Sequence, residues 1–155
     1  MSGKQALYDA LAAQLAALVE GESDPTANAA NAAAAIYHGL PDLNWAGFYF
    51  RRDGELVLGP FQGKPACVRI QWGQGVCGTA AASGASVVVP DVHQFPGHIA
   101  CDPNSRSELV VPLVRDGEVI GVLDLDSPLP GRFDAADRAG VEGLAAILIA
   151  SLCPE

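Results

Sequence analysis

Four cysteines, Cys67, Cys77, Cys101 and Cys153, are the side chains of this sequence best suited to covalent chemistry. No two form a CxxC pair, and the steps of ten and twenty-four residues between the first three fit neither a zinc knuckle nor a local redox loop. Any pairing among them must come from tertiary proximity or the movement of a loop. An inert, packed thiol is the ordinary alternative for any one of them. Cys101 fits that alternative worst, because it sits in the polar stretch His98-Ile99-Ala100-Cys101-Asp102-Pro103-Asn104. A metal centre drawn from Cys67, Cys77, Cys101 and His98 or His93 is a second chemistry open to these residue types. The two histidines otherwise read as solvated loop residues.

The elements that must position these groups follow from periodicity. Leu7, Leu11, Leu15 and Leu18 recur at three and four between Lys4 and Val19, predicting an amphipathic helix that Gly21 ends. Ser23-Asp24-Pro25 then caps an alanine-rich second helix, stopped by Gly39 and Pro41. From Asn44 to Arg51 the pattern alternates. Ala46, Phe48 and Phe50 form an apolar face, and Trp45, Gly47 and Tyr49 form another on which the glycine leaves a gap between two aromatics, as a pocket floor would. Strands are expected at Leu56–Leu58 and Cys67–Trp72, with Gly59-Pro60 and Gly63-Lys64-Pro65 as turns, and a short helix between Gly73 and Gly84. That layout puts Cys67 on a central strand and Cys77 on the short helix. A brief strand, Val87–Val89, precedes an irregular segment from Asp91 to Asn104, long enough to be a lid. Leu109–Val114 and Val119–Leu125 form a hairpin around Asp116-Gly117, with Asp124 and Asp126 on one face and Leu123 and Leu125 on the other. A last helix starts at Phe133-Asp134, with Asp134 as its N-cap. The expected fold is α+β: one domain over 1–155, with helices on one face of a mainly antiparallel sheet and a lid-covered ligand face opposite.

Composition narrows the partners. At 155 residues and half apolar, the chain is the size of one domain with a substantial core. A formal net charge of −9 with no Lys/Arg cluster disfavours nucleic acid. No apolar run approaches the ~18 residues of a membrane span, so a cytoplasmic location is expected, where thiols stay reduced unless they turn over.

Several separated motifs, in order, resemble the free methionine-(R)-sulfoxide reductase family of GAF-domain proteins. They are Asn44-Trp45-Ala46-Gly47-Phe48-Tyr49, the run from Leu58 to Cys67, Gly73 through Gly78 with Cys77, Ile99-Ala100-Cys101-Asp102, Ser107-Glu108-Leu109, and Gly121 through Ser127. The resemblance implies a GAF fold, Cys101 as nucleophile, and Cys67 and Cys77 as candidate resolving thiols, with no choice made between them. It further implies a substrate pocket of Trp45, Tyr49, Glu108, Asp124 and Asp126, no bound cofactor or metal, and thioredoxin as external reductant. Cys153 receives no role from it. A homodimer through the alanine-rich helices is an expectation by analogy with other GAF domains. A GAF module that senses a small molecule without turnover is the competing reading, disfavoured because sensing does not require three thiols.

The chemistry implied is sulfoxide reduction, which needs a thiolate and an acid for the sulfoxide oxygen. Crowded carboxylates raise one another's pKa and can keep one of themselves protonated near neutrality. Register poses one difficulty. A tight two-residue turn at Asp116-Gly117 places Glu108 opposite Leu125, facing the core and away from Asp124 and Asp126. The pocket therefore requires an odd-length loop with a bulge, an irregularity marked by Pro112, or a strand that starts after Glu108.

Overall fold

The computed structural model describes residues 3–98 and 102–152, so Cys101 and Cys153 lie outside the described residues. Two helices, α1 (Gly3–Val19) and α2 (Pro25–Gly39), precede strands β1 (Trp45–Arg52), β2 (Glu55–Gly63) and β3 (Arg69–Ile70). Helix α3 (Gly75–Ser83), strand β4 (Val87–Val89) and a 3₁₀ turn at Val92–Gln94 lead to the long hairpin of β5 (Ser107–Arg115) and β6 (Glu118–Ser127), and α4 (Ala135–Ser151) closes the fold. The strands form one antiparallel sheet in the order β3-β2-β1-β6-β5-β4.

The period-2 pattern of the strands divides the interior into two layers. Ala46 and Phe48 of β1, Leu109, Val111 and Leu113 of β5, and Leu123 and Leu125 of β6 pack against α1, α2 and α4. The opposite face carries Trp45, Tyr49, Val110 and Val122 and is covered by α3. On α1 the buried stripe is Tyr8, Leu11, Leu15 and Val19, whereas Leu18, expected inside, is 40% exposed. The stripe turns because Tyr8 reaches α4, where its hydroxyl donates to Asp137 Oδ1 at 2.8 Å and its ring occupies the space beside Gly140. Asp134 caps α4 in a reciprocal capping box with Asp137, and Asp24 caps α2. No described helix is long and apolar enough to cross a membrane.

Two expected features of the sheet are corrected. Gly59-Pro60 is not a turn but lies inside β2, where Gly47 pairs with Phe61 and Tyr49 with Leu58. Two residues of β2 therefore oppose Phe48 alone, and this bulge accommodates a proline without an N–H. Gly59 belongs there because a Cβ would lie 2.8 Å from the Phe50 ring. The strand expected from Cys67 to Trp72 shrinks to Arg69–Ile70 at the sheet edge, so Cys67 is not on a central strand. The Cys67 carbonyl is bound instead by the Tyr49 hydroxyl at 2.8 Å, which takes it out of the ladder.

Candidate active site

The face of the sheet away from the three long helices gathers the charged residues of the hairpin under two aromatics. In the β1–β6 ladder, Trp45 pairs with Asp126 and Gly47 with Asp124, which puts Trp45, Tyr49, Asp124 and Asp126 on one surface. Glu108 joins them through a bulge. Arg115 pairs with Glu118 across a tight Asp116-Gly117 turn and Val114 with Val119, but Leu113 then pairs with Gly121, leaving Ile120 as the extra residue. That one-residue shift sets Glu108 opposite Asp126 rather than Leu125 and turns its carboxylate into the pocket. Both Asp116 and Gly117 have positive φ, as this turn requires.

A cavity of about 50 Å³ lies against these groups, bounded by Trp45, Tyr49, Cys77, Glu108, Asp124 and Asp126, among others. The gap expected beside Gly47 is not open: a Cβ there would meet Phe61 and the Trp45 ring. Trp45 stacks between Tyr49 and Phe61, with ring centroids 6.0 and 5.2 Å away, and its Nε1 donates to the Lys64 carbonyl at 3.1 Å. The aromatics therefore form a fixed wall. Cys77, in the first turn of α3, brings its sulfur within 4.8 Å of a Glu108 and an Asp124 carboxylate oxygen. Among the described residues, this thiol and two carboxylates are the set that could hold a cation, which differs from the cysteine-histidine set considered from sequence.

The thiols fall into different environments. Cys67 is disulfide-bonded and half-buried, whereas Cys77 is a free, buried thiol, so the two are not joined to each other. The approach to Cys101 is anchored from one side, because Asp102 accepts from Asn44 Nδ2 at 3.1 Å and from the Asn104 backbone N–H at 2.9 Å. From the other side His98 turns inward, with Nε2 3.9 Å from Glu108 Oε1, while His93 is exposed. Asn44, Ser105 and His98 thus border the site without having been assigned to it. The Asn44-to-Asp102 contact spans 58 residues and leaves no local signal in the sequence.

A GAF domain profile matches residues 5–152. The free methionine-R-sulfoxide reductase of Escherichia coli is 52% identical over 145 residues, covering 94% of this chain and 88% of that protein. Protein YtsP of Bacillus subtilis is 58% identical over 137 residues, covering 87% of this chain and 84% of its own. Among solved structures, the free methionine-R-sulfoxide reductase from Neisseria meningitidis in complex with its substrate superimposes with a TM-score of 0.94 at 47% identity, covering 98% of this chain and 92% of that one. The chain belongs to the GAF-domain family of free methionine-R-sulfoxide reductases.

In this member of the reductase family, burial separates the three carboxylates. Glu108 is pushed well above the usual carboxylate range, first by burial and then by Asp124 and Asp126 beside it. Asp126 is likewise held high, by burial and then by the charge of Asp124. Asp124 is raised by burial, but hydrogen bonds from Glu108 and Cys77 oppose the rise. The arrangement therefore favours a negative charge on Asp124 with protons on Glu108 and Asp126. Asp124 Oδ1 is buried and has no hydrogen-bond partner in the protein, which leaves it available to a ligand's donor. Burial, then the same carboxylates, pushes the Cys77 thiol up, so the reductase-family pocket holds this sulfur protonated.

Proposed function

We propose that this chain reduces free L-methionine (R)-sulfoxide to L-methionine. The observation that carries the reading is one pocket joining an aromatic wall, Trp45 and Tyr49, to three carboxyl groups, Glu108, Asp124 and Asp126. In this reading Trp45 and Tyr49 enclose the S-methyl end, and the orphan oxygen of Asp124 receives the substrate ammonium with Asp126 beside it. Glu108, protonated, donates to the sulfoxide oxygen, which makes the sulfur electrophilic. A cavity of about 50 Å³ suits an amino acid's side chain rather than a nucleotide; space on that scale holds on the order of four waters.

Cys101 is the nucleophile. Its thiolate attacks the sulfoxide sulfur, the oxygen passes to Cys101 as a sulfenic acid, and methionine leaves. A second thiol then displaces the oxygen as water and forms a disulfide. The disulfide at Cys67 and the free, buried thiol of Cys77 favour Cys67 as the first resolving thiol. Thioredoxin returns two electrons and two protons by exchange, and no bound cofactor or metal takes part.

The test is NADPH oxidation with thioredoxin and its reductase, offering free methionine (R)-sulfoxide, the (S) epimer and a peptide-bound sulfoxide in parallel. Turnover confined to the free (R) form is the expected result. No turnover with any of them, by thioredoxin or by dithiothreitol, would replace this reading with that of a sensing module.

A further inference from the structure

Val68 follows Cys67 and is the most exposed large apolar side chain among the described residues, at 61%. It stands at the entrance to β3, which has β2 on one side and ends the sheet. The segment is held from within. Tyr49 donates to the Cys67 carbonyl at 2.8 Å and the Leu58 N–H to the Val68 carbonyl at 2.9 Å, so Cys67 presents a half-buried disulfide on a fixed edge. Charge departs locally from that of the chain. Lys64 and Arg69 flank Cys67, and Arg51 lies 4.8 Å above the Trp72 ring, on the same end of the sheet, although the chain carries a formal −9. Glu55 offsets part of this charge through Arg69, at 2.7 Å. An exposed valine, basic neighbours and an oxidised sulfur on one strand edge fit a single kind of partner: a protein dithiol with an apolar rim and acidic residues around its active site.

We propose that the Cys67-Val68-Arg69 edge is the docking point of the dithiol reductant and that the reductant attacks Cys67 Sγ. The inference rests on the thioredoxin-recycling reading above and adds to it the place of contact. The reductant's thiolate forms a mixed disulfide with Cys67 and expels the other cysteine of the bridge as a thiolate, which takes up a proton. The reductant's second thiol then attacks its own sulfur, releasing Cys67 as the second thiolate and leaving the reductant oxidised by two electrons.

Stopped-flow reduction of the oxidised protein tests this without methionine sulfoxide, with reduced thioredoxin in one arm and dithiothreitol in the other. Val68→Glu should lower the thioredoxin rate constant about tenfold by placing a carboxylate in the contact, and change the dithiothreitol rate less than about twofold. Val68→Ser, which only removes apolar surface, should slow thioredoxin about threefold, and Leu18→Glu, at an exposed position on α1 in the helix layer across the sheet, should leave both rates as in the wild type. Equal thioredoxin rates for wild type and both Val68 variants overturn the docking site, as does an equal slowing by Leu18→Glu. A wild-type protein that thioredoxin reduces no faster than dithiothreitol does, at equal thiol concentration, overturns the recycling reading and the docking site with it.

Discussion

At the scale of single residues, the three pocket carboxyls differ by environment rather than by type. Glu108 and Asp124 are both 6% exposed, yet hydrogen bonds with neighbours oppose the rise on Asp124 and add to it on Glu108. Glu108 keeps its proton when folded and loses it at the ordinary carboxyl value when unfolded. The folded state therefore binds more protons, and stability falls as pH rises from the usual carboxylate range towards the raised folded value. Glu108→Gln removes that loss. We expect its Tm at neutral pH to exceed that of the wild type by about 2–4 °C for each ~1 kcal/mol regained, while kcat collapses for want of an acid, as calorimetry and steady-state assays will read. Cys101→Ser is expected to abolish methionine formation even in a single turnover with dithiothreitol. Loss of Cys67 should instead spare the first turnover and slow recycling, so a full single-turnover yield from Cys101→Ser would reassign the nucleophile.

At the scale of elements, one bulge reconciles the tight Asp116-Gly117 turn with the site. Ile120 is the unpaired residue that shifts β5 against β6 and brings Glu108 to the side of Asp126. Deleting Ile120 removes the bulged residue and leaves a regular ladder in which Leu113 still pairs with Gly121 and Glu108 still lies opposite Asp126. The expected outcome is a pocket that keeps its acid and its activity, with the change confined to the turn end of the hairpin; lost activity, with hydrogen exchange of the hairpin amides showing re-registered strands, would contradict it. The bulge in β2 does a separate task, seating Pro60 and Phe61 so that Phe61 backs the Trp45 ring.

At the scale of the whole molecule, stability and chemistry occupy opposite faces of the sheet. The helix layer is fastened at Asp137, which is 1% exposed and accepts from Tyr8 Oη at 2.8 Å, Lys4 Nζ at 2.7 Å and Arg132 Nη1 at 3.2 Å. Asp137→Ala leaves the buried Tyr8 hydroxyl unpaired and unties α1 from α4. We expect a loss of about 3 kcal/mol in denaturant unfolding, with KM for the sulfoxide unchanged in the fraction that stays folded. A KM that moves with stability would show that the two faces are coupled.

Both periodicities are legible in the amino-acid sequence alone. Spacings of three and four marked the helices, and alternation sorted Ala46, Phe48, Leu123 and Leu125 from Trp45, Tyr49, Asp124 and Asp126, because a strand has only two faces and each must meet one solvent or one core. The sequence also disclosed, through motifs in order, the family to which the chain belongs. Tertiary structure decided what depends on residues far apart in the chain. Glu108 entered the pocket through a bulge, since a one-residue slip reverses every side chain and no local pattern announces it. Cys67 left its expected strand because the Tyr49 hydroxyl, 18 residues away, took its carbonyl. The gap at Gly47 was filled by Phe61 from the neighbouring strand. The division of protons among Glu108, Asp124 and Asp126 arose only once burial had brought the three together, for desolvation and mutual charge act through space and leave no trace in sequence spacing.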